Sequence, residues 1–386
     1  MSYQLQLDIR QFLTEYWQQK PCLIKAGFAD FEDPIAAEIL AGLALEEGVD
    51  ARIVEHRQQQ WQVSHGPFTE YEQYGEEDWT LLVQAVNEWI PEVQQLVPPF
   101  RFLPDWRIDD VMVSFATEGG GVGPHVDQYD VFIIQGSGER HWRVGERLSQ
   151  DAIKARTHCP TTDLKLIEGE FTALIDAKLE AGDILYIPAG CPHEGTGLSP
   201  SMSYSVGFRA PNQAELLSQL ADIMLQQDDT DSPRYRDPQA ADYGPAWQLS
   251  EQQVNAVSQF LTESIASPQL PELIGRALSV PKRPLPAPSL PLTDHQLTHA
   301  LKEPSMLLCR ASGAKILINA SCDQLYAAGE VFQLNHKQQA FARALAEQDE
   351  DTPATEYVDL MQAHDNRELL QELLQLGVIF FEQLEA

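Results

Sequence analysis

The chain has 386 residues, 43% hydrophobic and 22% charged, which suits a soluble globular protein of two or three domains. Its 26 Lys and Arg against 58 Asp and Glu leave a net charge of −32; a field of that sign repels phosphate backbones and draws in cationic partners, so direct nucleic-acid binding is disfavoured. No apolar run reaches the roughly 18–20 residues of a membrane span, no signal peptide is apparent, and the five scattered cysteines (Cys22, Cys159, Cys191, Cys309, Cys322) form no CxxC pair, which points to a reducing, cytoplasmic setting.

Residues 1–100 read mostly as helix and loop. Ile9, Phe12, Leu13, Tyr16 and Trp17 recur at helical spacing and predict a core-facing stripe, and 76–96 gives a second helical pattern ended by Pro98 and Pro99. From about residue 107 the texture changes. RIDDVMVSFA, YDVFIIQ, RHWRV, FTALI, DILYIP and SYSVGF are each strand-like, separated by glycine-rich or polar turns such as 118–121 and 136–138. They predict an antiparallel sandwich or small barrel over 101–211.

Helical periodicity returns over 212–285, in NQAELLSQLADIMLQQ and EQQVNAVSQFLTESI, around a polar loop QQDDTDSPRYRDP. The prolines 281, 284, 286, 288 and 291 mark an extended linker. The last stretch, 286–386, mixes a strand (KILIN), helices (HKQQAFARALAEQ and NRELLQELLQL) and a terminal strand (VIFFEQL), a pattern for a winged-helix-like α+β module. Residues 293–386 hold 15 acidic and 6 basic side chains, a balance that suits protein contact or a structural role better than DNA reading.

The informative core is GGGVGPHVDQYDVFIIQGSGERHWRVG, residues 119–145. His125 and Asp127 are two apart at a strand entry, so both point to one face, about 6.5–7 Å apart along the chain. The third ligand is His193 in LEAGDILYIPAGCPHEG, where Gly182-Asp183 turns into an apolar strand and Pro188 and Pro192 stiffen the loop. Two histidines and one carboxylate leave three positions open on an iron(II) ion, the facial triad of non-haem oxygenases. Zinc accepts the same donors and stays an alternative at this point. Glu194 and Cys191 flank His193 as rival ligands; Glu194 would face away in an extended chain, and His141, alternating with Arg140, is read as facing away from the pocket.

The run GPHVDQYDVFIIQGSGERHWRVG, with IPAGCPHEG downstream, resembles the JmjC-type oxygenases of the cupin superfamily, and more narrowly the bacterial ribosomal oxygenases, over essentially the whole chain. The resemblance implies a mainly β catalytic core, a double-stranded β-helix of JmjC type. It would carry a helical N-terminal region, a helical dimerisation segment at 212–285 and the winged-helix-like tail. It implies iron(II), 2-oxoglutarate and dioxygen as metal and cosubstrates. The implied substrate is an arginine side chain of a basic large-subunit ribosomal protein, and the implied assembly a homodimer.

Arg140 matches the family position that pairs with the distal carboxylate of 2-oxoglutarate; its parity with Trp142 turns it inward, the alternative being an exposed strand arginine. Ser114 is a second candidate for that carboxylate, unless it satisfies its own backbone. Glu118 and Asp130 are candidates to meet a target guanidinium at the mouth. Tyr129 shares the ligand face and either packs on the substrate or belongs to the core. Histidine hydroxylation, lysine demethylation and a non-catalytic metal-binding cupin remain as other readings; the last has no need of Arg140.

Overall fold

The alternating segments of the middle of the chain pair into two antiparallel sheets. The computed structural model describes residues 3–161, 164–226, 233–237, 245 and 247–384 and divides into two compact units, Met1–Ala210 and Pro211–Ala386. The strands of the first unit are β1 (Cys22–Ile24), β2 (Ala51–Arg57), β3 (Gln60–His65), β4 (Trp79–Val83), β5 (Ile108–Ala116), β6 (His125–Val126) and β7 (Asp130–Gln135), then β8 (Arg140–Gly145), β9 (Thr157–Thr161), β10 (Leu164–Ile167), β11 (Ala173–Leu179), β12 (Ile184–Ile187), β13 (Pro192–Gly197) and β14 (Ser201–Phe208). One sheet runs β1-β12-β7-β14-β5-β4-β2-β3 and the other β11-β8-β13-β6, while β9 and β10 form a separate pair. This is the double-stranded β-helix of a cupin.

β7 shows why the middle of the sequence is so apolar. All six of its residues are buried. Phe132 and Ile134 pack into a core with Phe12, Phe28, Phe100, Tyr186 and Phe208, whereas Val131 and Ile133 pack on the opposite face with Trp142, Val144 and Leu185. The large sheet is thus covered on one side by the N-terminal region and on the other by the small sheet, and a strand buried on both faces loses its period-2 polar alternation.

The N-terminal hundred residues depart from the helix-and-loop expectation. They supply both ends of the large sheet, β1 at one and β2 to β4 at the other. Within 76–96 the expected helix is a strand, Trp79–Val83, followed by short turns of helix at Val86–Glu88 and Pro91–Gln94. A short apolar run such as WTLLV satisfies both periodicities. The β2–β3 hairpin was hidden for another reason. Arg57 pairs with Gln60, so the turn is Gln58-Gln59, both left-handed (φ 51° and 62°); such two-residue turns normally announce themselves with Asn-Gly or Asp-Gly. Of the predicted helical stripe, Phe12 is buried, but Ile9 and Leu13 stay 43% and 40% exposed.

In the second unit, helices Gln213–Leu225 and Glu251–Ile265 each open on a capping box, Asn212 with Glu215 and Ser250 with Gln253. Most of the polar loop between them lies outside the described residues. After helix Leu270–Ser279 come helices Asp294–Lys302, Gln338–Glu347 and His364–Gln375. They accompany β15 (Met306–Arg310), β16 (Ile316–Ile318), β17 (Gln324–Ala327), β18 (Glu330–Gln333), β19 (Thr352–Pro353) and β20 (Ile379–Gln383), in two three-stranded sheets, β19-β15-β20 and β16-β17-β18. Among the described residues, no helix is long and apolar enough to cross a membrane.

Candidate metal centre

A cavity of about 270 Å³ lies between the two sheets of the first unit. On its wall β13 pairs with β6 so that His193 stands opposite His125, their ring centroids 4.2 Å apart. Asp127, just past β6, brings Oδ2 to 3.8 Å from His125 Nε2 and 3.6 Å from His193 Nε2. One ligand atom from each of the three lies within 4.8 Å of the others, a spacing that a single ion can bridge.

The hydrogen bonds of the two imidazoles set their tautomers. His125 Nδ1 lies 2.9 Å from the carbonyl of Gly123, and His193 Nδ1 lies 3.0 Å from that of Cys191. A carbonyl only accepts, so each Nδ1 carries the proton and each Nε2 offers a lone pair to the common point. Burial, then the neighbouring His125, pulls the pKa of His193 down to about 4, which keeps it neutral as a ligand must be. The donor set and its protonation fit a divalent transition metal, iron(II) included.

Small residues let this wall close up. Gly195, opposite Trp142 on β8, leaves room for the indole: a Cβ there would sit 2.7 Å from Cε2 and Cζ2. At Gly121 a Cβ would come within 2.5 Å of the Gly195 carbonyl oxygen.

Arg140 lies on β8 four residues before Val144, the partner of His193, so about 13 Å of strand separates the guanidinium's level from that of the histidines. Its side chain lines the same cavity, together with Trp142, and the residue is only 5% exposed. Nε and Nη1 donate to the hydroxyls of Ser201 (3.0 Å) and Ser114 (2.9 Å), and Nη2 to the carbonyls of Ser201 (2.9 Å) and Ser114 (3.0 Å). None of these partners is charged. Burial alone lowers its pKa, to about 9, so the group is a cation at neutral pH that is hydrogen-bonded to no anion among the described residues.

Ser114 lines the cavity, with its hydroxyl also 3.1 Å from that of Ser203. Tyr129 lines it too, and burial and the nearby Asp127 carboxylate push its hydroxyl well above the usual phenol value. Two expected substrate contacts fall elsewhere. Glu118 is exposed and is not part of the cavity wall. Asp130 is fully buried and held by Arg107 (2.8 Å), Tyr186 (3.0 Å), Gln18 (3.1 Å) and the Ala189 N–H (3.3 Å). It starts β7 on the face shared with Phe132, away from Tyr129, Val131 and Ile133, so a guanidinium of this chain already occupies it. His141 pairs outward with Asp176 (2.7 Å), and Glu194 pairs with Arg143 (2.7 Å) rather than joining His125, Asp127 and His193.

The sequence reading missed the wall contributed by the N-terminal strands: Arg52, Val54, Val63, Thr80 and Leu82. It also missed Asp110, a buried carboxylate close enough to Tyr129 to raise its pKa. The signal was present, because Asp110, Met112 and Ser114 share parity on β5. In the second unit Cys309, Asp351 and Glu382 also cluster within 4.8 Å, but burial and the two carboxylates push the thiol's pKa far up, opposite to what a thiolate ligand needs.

Residues 95–216 match the JmjC domain family. Over 99% of this chain and 100% of the relative, the sequence is 43% identical to the ribosomal protein uL16 3-hydroxylase of Escherichia coli K12. A probable ribosomal oxygenase of Haemophilus influenzae is 30% identical over 83% of this chain and 80% of its own. The structure of the Escherichia coli ribosomal oxygenase YcfD in complex with cobalt and 2-oxoglutarate superposes with a TM-score of 0.85 at 42% identity, covering 99% of this chain and 100% of that one.

Proposed function

Because this chain belongs to the JmjC-type ribosomal oxygenases, we propose that it is an iron(II)- and 2-oxoglutarate-dependent hydroxylase of an arginine in a basic ribosomal protein of the large subunit, with His125, Asp127 and His193 as its metal ligands. The observation that carries this reading is Arg140: a buried cation without an anionic partner among the described residues, in one cavity with the triad. Burying such a charge unpaired is costly, and the distal carboxylate of 2-oxoglutarate removes that cost. Iron(II) with 2-oxoglutarate and dioxygen supplies the chemistry, in which the cosubstrate is decarboxylated to succinate and one oxygen atom enters a substrate C–H bond.

The protein's own residues bind and orient. Arg140, seated on Ser114, fixes one end of the cosubstrate, and the two imidazoles and Asp127 hold the metal. Tyr129 offers a ring for an alkyl-guanidinium chain. The net charge of −32 favours encounter with a basic ribosomal protein and disfavours direct binding to RNA. Exposed Leu217, Val254, Val257, Leu261 and Ile265 on helices Gln213–Leu225 and Glu251–Ile265 give the apolar face a homodimer would bury, and the tail 286–386 is assigned to protein contact. On this reading the protein acts in the cytoplasm.

The test is to incubate the enzyme with iron(II), 2-oxoglutarate and uL16 peptides, and to follow succinate and the gain of one oxygen by mass spectrometry. Oxygen should appear on one arginine and vanish when that arginine is replaced by lysine. Oxygen on a histidine or lysine, or none with iron bound, defeats the arginine reading.

A further inference from the structure

The donors around Arg140 can be counted, and the count singles out a residue so far without a role. A guanidinium has five N–H donors, and four are taken by Ser201 and Ser114. One Nη1–H is left, so Arg140 cannot offer a carboxylate its usual two-pronged fork. The second donor must come from a neighbour. Ser114 and Ser203 face each other across β5 and β14, their hydroxyl oxygens 3.1 Å apart. Ser203 is 1% exposed and lines the cavity. The pair holds two hydroxyl hydrogens, and their mutual bond uses one.

Ser114 Oγ already accepts an N–H from a cation. That polarises its own O–H outward, making it a stronger donor and a poorer acceptor for a second bond. The direction of the chain is therefore Arg140 to Ser114 to Ser203, and the Ser203 hydrogen is the one left over, with no acceptor among the described residues.

We propose that Ser203 is a direct ligand of the cosubstrate's distal carboxylate, donating to one oxygen while the free Nη1–H of Arg140 donates to the other. This rests on the reading of Arg140 given above. The carboxylate completes a chain of hydrogen bonds that starts and ends on itself: guanidinium, Ser114, Ser203, carboxylate. Selection for a five-carbon dicarboxylate over a 2-oxo acid with an apolar end then depends on Ser203 as well as on the charge.

The experiment measures binding rather than turnover. The cobalt(II)-loaded protein is titrated with 2-oxoglutarate and with 2-oxopentanoate, which has a methyl group in place of the distal carboxylate. Ser203→Ala should weaken 2-oxoglutarate about tenfold, the scale of a hydrogen bond to a charged group, and leave both 2-oxopentanoate and cobalt affinity unchanged. Ser203→Cys, which keeps the volume but weakens the donor, should show the same pattern to a smaller degree. Unchanged 2-oxoglutarate affinity in Ser203→Ala would make Ser114 the direct donor and overturn the proposal, as would an equal loss for both ligands. Arg140→Ala separates the two readings: if it leaves 2-oxoglutarate affinity intact, the assignment of Arg140 itself fails, whatever Ser203 does.

Discussion

Arg107 Nη2 lies 2.8 Å from Asp130 Oδ2, on the side of β7 that faces the N-terminal core rather than the cavity. The ion pair is almost dry, with side chains 11% and 0% exposed, and Asp130 also receives the Ala189 N–H from the loop that leads to His193. Asp130→Ala removes the anion and leaves the guanidinium buried beside Trp17. The expected loss is about 3–5 kcal/mol of stability, read by chemical denaturation. If the variant is as stable as the parent and instead has a raised KM for the peptide, Asp130 is a substrate contact after all.

Asp127→Ala leaves two imidazoles to hold the ion. Metal affinity, measured by equilibrium dialysis, should fall by at least about 100-fold, and turnover with it, while the thermal transition of the metal-free protein stays near that of the parent. Full metal content with normal activity would take Asp127 out of the ligand set.

Arg140→Ala removes the only charge proposed to face the cosubstrate. KM for 2-oxoglutarate should rise about 30- to 100-fold, corresponding to roughly 2–3 kcal/mol, with saturating cosubstrate restoring part of the rate. Asp127→Ala should not respond to added 2-oxoglutarate. Equal rescue of the two variants would contradict the separation of their roles.

The low pKa of His193, about 4 in the metal-free fold, lies below the ordinary value of about 6.5 that it regains on unfolding. Protonation therefore favours the unfolded chain. The contribution is fully present above about pH 6.5 and is lost as the pH falls towards 4, a change of roughly 3 kcal/mol. The stability of metal-free protein should drop across that window more steeply than that of His193→Gln. Parallel curves would show that His193 is not held neutral by the fold.

Gly195→Ala puts a methyl group against the Trp142 indole. Overpacking of this kind costs about 1–3 kcal/mol, and here the strain falls on the strand that carries His193. Tm should drop, and metal affinity with it. A silent substitution would mean that the indole can swing aside.

Much of the site was legible because strands have a period of two. Parity alone puts Arg140 with Trp142 on the cavity side and His141 outside, and puts His125 and Asp127 on one face. The same rule misled where it was not applied: Asp130 is one residue from Tyr129 and therefore on the other face, and Asp110 shares the face of Ser114. The N-terminal strands were beyond reach for different reasons. Their turn uses Gln58-Gln59 without a turn signature, and WTLLV is too short to tell strand from helix. Asp130 with Arg107, and β1 with β12, join segments separated by more than 20 and more than 150 residues, and no local pattern encodes such pairings.

The eight-stranded sheet has a practical consequence for anyone dissecting the molecule. The stretch matching the JmjC family begins at residue 95, but β4 is the neighbour of β5, and β1 covers β12. Excising 95–216 would strip both flanks of the sheet, bare two rows of backbone donors and acceptors, and remove Thr80 and Leu82 from the chamber wall. Such a fragment should aggregate through its open edges. The unit of homology and the unit that folds are different lengths of chain, and active-site grafts or minimal versions of this enzyme have to respect the longer one.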